Sequence, residues 1–216
     1  MKTLLALSIL FLFNSCHTQP KVIIEKSPTG REWDIHLENQ LGNITIILPN
    51  HLDTLFSWTQ TSDCGDECSY VDFRVQPRKL PIFKESGFLY STLPDSVEQF
   101  TIKHSKLNYP WQMSDTTQQN YLRGRLKYEA EKYPSENYLI DTILTIDNRY
   151  FPVIGYKTYD TSRKTTTQYL SASTALKNNL LRFYFEYRKS YPDTSSNEFI
   201  RNSFRYLKTI TIKNGR

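Results

Sequence analysis

The side chains in this 216-residue chain with the most distinctive chemistry are its three cysteines. Cys16 ends the stretch SILFLFNSC, directly behind an apolar run, while Cys64 and Cys68 bracket the short segment CGDEC. A thiol that follows a greasy segment can be acylated. Two thiols with three residues between them can join to each other or hold a metal ion.

For Cys64 and Cys68 the expected state is a disulfide across a tight hairpin. With Cys16 set aside they make an even pair, which reads as a disulfide wherever thiols are oxidised. Closing so short a loop stabilises by roughly 2 kcal/mol in the chain-entropy picture. The alternative is a metal site in which Asp66, Glu67 or a distant histidine completes the set. A structural zinc site usually pairs two such knuckles, and this chain has one. A redox-active pair is disfavoured, because the spacer is three residues in an expected β-turn and not the C-x-x-C of a helix start.

Hydrolytic signatures are missing: the sequence has no G-x-S-x-G, no H-E-x-x-H and no S-x-x-K. His51 and Asp53, in NHLDT, are close enough in sequence to orient one another, but a loop pair of this kind reads first as a solvent-exposed or capping pair. His36 and His104 fall within strand-like runs and are expected to face outward, and His17 belongs to the segment after Cys16. Asp141, Asp147 and Glu186 show no spacing that suggests a glycosidase dyad. No catalytic residue, metal ligand or cofactor is therefore assigned.

The elements that would place these residues begin with the leader. Lys2 gives a positive start, residues 4–13 are apolar apart from the small Ala6 and Ser8, and polar residues follow at once. The run is about half the ~20 residues that a membrane span needs, so it reads as a signal peptide over residues 1–15. FNSC resembles the lipobox of bacterial lipoproteins cut by signal peptidase II, in the looser form of Bacteroidetes-type bacteria; Phe13 and Asn14 depart from the usual Leu and Ala or Ser. The resemblance implies that Cys16 becomes the first mature residue, carrying a diacylglycerol thioether and an amide-linked acyl chain such as palmitate. Several chains together make a stable anchor, at ~0.8 kcal/mol per buried methylene. Residues 16–20 form the lipidated tether, and with no Asp after Cys16 the expected address is the outer membrane, facing the periplasm.

Residues 21–216 are expected to form a single α+β domain. Seven glycines against fifteen tyrosines and twelve phenylalanines favour strands with cross-strand ring pairs over nucleotide-cradling loops. Lys and Arg (27) are interspersed with Asp and Glu (22), so no nucleic-acid partner is expected. Arg78 with Lys79, and Arg123 with Arg125 and Lys127, read as solvated faces. Strand-like runs lie at 22–24, 33–37, 44–48, 55–61, 70–75 and 100–104, with the two around DCGDEC forming a hairpin. Asp115 with Gln118 resembles a capping box opening a helix to about Tyr133, one face carrying Tyr121, Leu122, Leu126 and Tyr133. Gly124 within it should mark a close contact or a bend.

Four further runs, 139–146, 150–159, 165–172 and 180–187, read as an antiparallel meander with turns at 147–148, 160–163 and 178–179. LRFYFEY alternates Phe183 and Phe185 with Arg182, Tyr184 and Glu186, so one face should be buried. Ser195 and Glu198 suggest a capping box for a second helix lined by Phe199, Ser203, Phe204 and Leu207, and 209–213 is a final strand. This order, a meander, a capped helix and a terminal strand over residues 138–213, resembles the PsbP, Mog1 and DcrB group of sandwich proteins. The resemblance implies a mainly antiparallel sheet flanked by two helices, and a protein that binds or assists other molecules. Tyr150, Phe151, Tyr156, Tyr159, Tyr169, Tyr184, Tyr187 and Tyr191 crowd the meander, and some should stay at the surface for protein or glycan contact. The expectation is a lipid-anchored envelope protein with a non-catalytic binding or accessory role. An envelope hydrolase built from distant residues, or a periplasmic immunity or inhibitor lipoprotein, remains the alternative.

Overall fold

Phe183 and Phe185 project from the same side of one strand, and the main core forms on the face they occupy. The architecture comes from a computed structural model that describes residues 28–61, 63, 69–82, 94–106, 115–131, 135–190 and 197–215. Cys16, Cys64 and Cys68 lie outside the described residues, as do the leader, the tether, the 22–24 run, Tyr133, Tyr191 and Ser195.

The elements are β1 (Arg31–Leu37), β2 (Gly42–Leu48), β3 (Thr54–Gln60), β4 (Tyr70–Gln76), β5 (Val97–Lys106), α1 (Asp115–Glu131), β6 (Ser135–Ile146), β7 (Arg149–Asp160), β8 (Thr165–Leu176), β9 (Asn179–Ser190), α2 (Glu198–Leu207) and β10 (Thr211–Asn214). They form an α+β fold of two antiparallel sheets and two helices. The large sheet runs β3-β4-β5-β9-β8-β7-β6 and the small one β1-β2-β10. The hairpin around DCGDEC is present as β3 against β4, from Thr54↔Gln76 to Gln60↔Tyr70.

The meander turns follow from left-handed backbone. Asp147 and Asn148 have φ of 51° and 57°, and Lys177 and Asn178 have 44° and 62°, the mirror-image turn geometry that suits the right-handed twist of paired strands. The third turn thus sits one residue earlier than 178–179. In the turn at 160–163, Asp160 Oδ1 accepts hydrogen bonds from the Ser162 and Arg163 backbone at 3.0 Å each.

One face of the large sheet carries Val71, Phe73, Val75, Phe100, Ile102, Phe151, Val153, Leu170, Leu181, Phe183 and Phe185. These share a core with Ile35, Ile44, Ile46 and Leu48 of the small sheet and with Ile200 and Leu207 of α2. Ile200, not Phe199 or Phe204, is the fully buried apolar anchor of α2 alongside Leu207. Asn197 occupies its N-cap with no side-chain cap hydrogen bond, and Glu198 stands in the first turn. α1 packs on β7 and β8 on the opposite face through Leu126 and Ala130, against Ile154 and Tyr156. Gly124 is exposed with nothing near its Cβ direction, so no close contact explains it.

Candidate functional site

Alternation places a second set of side chains on the reverse of that phenylalanine-rich face. On β4 these are Tyr70, Asp72, Arg74 and Gln76; on β5, Gln99, Thr101 and Lys103; on β9, Arg182, Tyr184, Glu186 and Arg188. The register sets them in rows. Arg74 is opposite Thr101 and Asp72 opposite Lys103. Thr101 is opposite Tyr184, Lys103 opposite Arg182 and Gln99 opposite Glu186. On β8, Ser171 and Ser173 continue the rows beside Tyr184 and Arg182. Direct neighbours in such a ladder have Cβ atoms about 5 Å apart.

Most of this polar face is buried. Asp72, Arg74, Gln76 and Ser173 are 2% exposed. Neither described helix accounts for that cover on β4 and β5, since α1 packs on β7 and β8 and α2 lies over the other face. Charge is unbalanced there: β4, β5 and β9 present Arg74, Lys103, Arg182 and Arg188 on this face against Asp72 and Glu186. Lys103 lies 3.6 Å from Asp72, and Arg188 donates to Glu186 at 2.8 Å. Gln99 Nε2 also donates to Glu186 at 2.9 Å. The Arg74 guanidinium stands over the Trp58 ring, 4.7 Å from its centroid, and Trp58 stacks on Phe56 at 5.5 Å. Stacking of this kind packs the guanidinium against the ring face.

Buried polar atoms on the same face with no hydrogen-bond partner among the described residues include Trp58 Nε1, Gln99 Oε1, Thr101 Oγ1 and Ser173 Oγ. Each such group costs about 1–3 kcal/mol. Unpartnered buried polar groups are few in folded proteins, and each calls for an explanation such as an ordered water, an ion or a functional role.

The histidines fall elsewhere. His51 Nε2 meets Glu98 Oε1 at 2.5 Å, and not Asp53. Asp53 instead accepts from the Arg78 backbone at 2.7 Å and from Thr54 Oγ1 at 3.1 Å, and the Arg78 bond foremost holds its carboxyl below the ordinary value. The His51–Glu98 pair borders a cavity of about 330 Å³ with Phe185, Phe199, Ser203 and Tyr206. Burial raises the Tyr206 phenol, which donates to Thr29 O at 3.2 Å. His36 faces outward as expected, but His104 does not: it is 2% exposed and stacked on Phe73. The reason is register, because Val71↔His104 puts it on the core face. Burial drives its pKa down to about 4, and it lines a second cavity, of about 340 Å³, with Glu38, Tyr70 and Lys106.

The three carboxylates are separated: Asp141 binds Arg123 and Lys127 of α1, Asp147 accepts from the Ile212 backbone, and Glu186 belongs to the polar face. Arg78, Lys79 and Arg125 are exposed, as a solvated face requires. Among the meander rings, Phe151 and Tyr156 are buried, Tyr169 stacks on Tyr156 and Tyr187 on Phe199, while Tyr150 is exposed. No group of three or more His, Cys, Asp or Glu side chains among the described residues could hold a metal ion. No described helix is long and apolar enough to cross a membrane.

The face built on Arg74, Thr101 and Lys103 was not singled out by the sequence. Its signal is present as alternate polar positions in YVDFRVQ, VEQFTIKHS and LRFYFEY. Each reads alone as a solvent-facing side of a strand, and only their pairing stacks them into one patch.

No family model matches this chain, and no curated protein matches it. Among solved structures it is similar to the cyanobacterial PsbP protein CyanoP of Synechocystis sp. PCC 6803, with 10% identity, 87% of this chain and 96% of that one covered, and a TM-score of 0.44. It is also similar to LpqN of Mycobacterium tuberculosis, a protein involved in cell envelope biogenesis, with 8% identity, coverage of 85% and 91%, and a TM-score of 0.44.

Proposed function

We propose that this chain is a cell-envelope protein, lipidated at Cys16 and tethered to the outer membrane on the periplasmic side, whose single folded body acts by binding rather than by a reaction. The address rests on the leader and FNSC. The binding role rests on one observation: a buried, net-positive face of the large sheet that holds unpartnered hydrogen-bonding atoms. Such a face suits a held molecule better than a turned-over one, because its acids are engaged by its own bases and amide, and no histidine among the described residues lies on it. In this reading Cys64 and Cys68 are joined and fix the β3–β4 turn.

The test is native mass spectrometry of the full chain, purified in detergent from the envelope of a lipidating bacterium. The expected result is a mature N-terminus at Cys16 carrying acyl chains, with a small molecule that co-purifies unchanged and is lost in a Thr101→Val, Ser173→Ala variant. An unmodified Cys16 overturns the address. Equal retention by wild type and variant overturns the binding face.

A second reading, an envelope hydrolase, is favoured by the His51–Glu98 pair, whose members are far apart in sequence and meet beside a cavity that Ser203 and Tyr206 also line. It requires turnover of an envelope substrate that His51→Gln abolishes.

A further inference from the structure

We infer that the cavity beside His104 is a second binding site, one that takes a small uncharged molecule rich in hydroxyl groups, of the size of a monosaccharide. It lies on the core side of β5 and so goes beyond the polar-face reading. The register builds it. Thr59 is opposite Val71, Val71 opposite His104, and Lys106 opposite Asn179, so these positions share the face that, farther along the same strands, carries Phe73, Phe100 and Phe183. At this end the apolar run gives way to polar side chains: Phe100 and Ile102 are followed by His104 and Lys106, and Asn179 precedes Leu181 and Phe183. The β1–β2 turn adds Glu38 and Asn39 to the lining, and the volume is about 340 Å³, within the roughly 300–1,000 Å³ of small-molecule sites. Lys177 braces the wall. Its Nζ donates to Gln40 O at 3.1 Å and to Gly215 O at 2.5 Å, and its carbonyl accepts from Asn179 Nδ2 at 3.0 Å.

His104 is the buried polar side chain of this wall, 2% exposed, and its Nε2 has no hydrogen-bond partner among the described residues. Burial keeps the ring uncharged down to about pH 4, so at neutral pH it offers one donor and one acceptor. A hydroxyl is both, and it satisfies the imidazole in either tautomer. A charged ligand set against a buried, uncharged ring gives up hydration without gaining a counter-charge. The rest of the lining agrees, because Asn39, Thr59, Ser69 and Asn179 bring amides and hydroxyls, while the exposed Glu38 and Lys106 cancel in charge. His104 and Lys106 are two residues apart on one strand, about 7 Å, and Asn179 is about 5 Å across from Lys106. One sugar ring with its hydroxyls bridges these spans.

The inference is tested on the full chain in detergent, at constant ionic strength, with glucose, galactose and N-acetylglucosamine as probes and inorganic phosphate and glycine as charged comparisons. At least one sugar should raise the thermal unfolding midpoint saturably, with half its effect by about 1 mM. The same titration should move the His104 ring nitrogens in imidazole NMR, assigned with His17→Gln, His36→Gln and His51→Gln. His104→Phe, which keeps a ring against Phe73, should abolish the shift in midpoint, and Asn179→Ala should weaken the sugar about tenfold. The Thr101→Val, Ser173→Ala variant, altered on the other face of the sheet, should bind as the wild type does. Should His104→Phe fail to fold, the NMR titration of the wild type decides the matter. No saturable response to any sugar means that the cavity holds water only and overturns the site. A response to phosphate or glycine alone, or sugar binding that leaves the His104 nitrogens unmoved, also overturns it. Loss of sugar binding in the Thr101→Val, Ser173→Ala variant moves the ligand to the polar face and overturns this site while that reading stands.

Discussion

The imidazole of His104 lies against the ring of Phe73 with centroids 6.0 Å apart and planes 24° from parallel, deep on the core side of the large sheet. Its Nε2 has no hydrogen-bond partner among the described residues. Burial holds its pKa at about 4, against 6.5 for an ordinary histidine. Below 6.5 the unfolded chain takes up a proton that the folded chain refuses until about 4, so stability falls as the pH drops through that window. Between pH 7 and pH 5 this group should remove about 1–2 kcal/mol, measured by urea unfolding. His104→Leu should flatten the slope, and an unchanged slope refutes the assignment.

Asp141 ties α1 to the sheet edge. It lies 2.6 Å from Arg123 Nη2 and 2.9 Å from Lys127 Nζ. Burial pushes its carboxyl up, but the hydrogen bonds from Lys127 and Arg123 outweigh that and leave it below the ordinary value. The folded state therefore binds that proton less readily, and the stabilisation fades as the pH falls through the acid range. The pair is partly exposed, so Asp141→Asn should cost only about 0.5–1 kcal/mol. Amide exchange should speed up in α1 and leave β5 and β9 unaltered; uniform acceleration contradicts a local clamp.

Gly42 opens β2 at φ +108°, and a Cβ there would stand 1.9 Å from Lys213 O on β10. Both the left-handed backbone and the close strand exclude a side chain. Gly42→Ala should cost about 2 kcal/mol or more and loosen β10, seen as faster exchange at Ile212. A variant as stable as the wild type shows that the strand can shift at no cost.

Phe183 is fully buried between Phe151, at 5.6 Å between centroids, and Phe100, at 6.5 Å. Phe183→Ala should lose about 3–5 kcal/mol by denaturant melting, the sum of lost transfer energy and the cavity left behind. A smaller loss means the neighbouring strands collapse into the gap.

Local chemistry in the chain was enough to determine most of the described strands, the two helices and the meander, because alternation and turn residues act over a few neighbours. LRFYFEY announced a buried face through Phe183 and Phe185, and Asp147 with Asn148 announced their turn. What only the tertiary structure decided is which polar residues meet. Arg74, Thr101 and Arg182 come from three strands whose pairing spans more than a hundred residues, and His51 finds Glu98 in place of its near neighbour Asp53. His104 turned inward for the same reason: facing is a property of register, and register depends on the whole sheet closing at once.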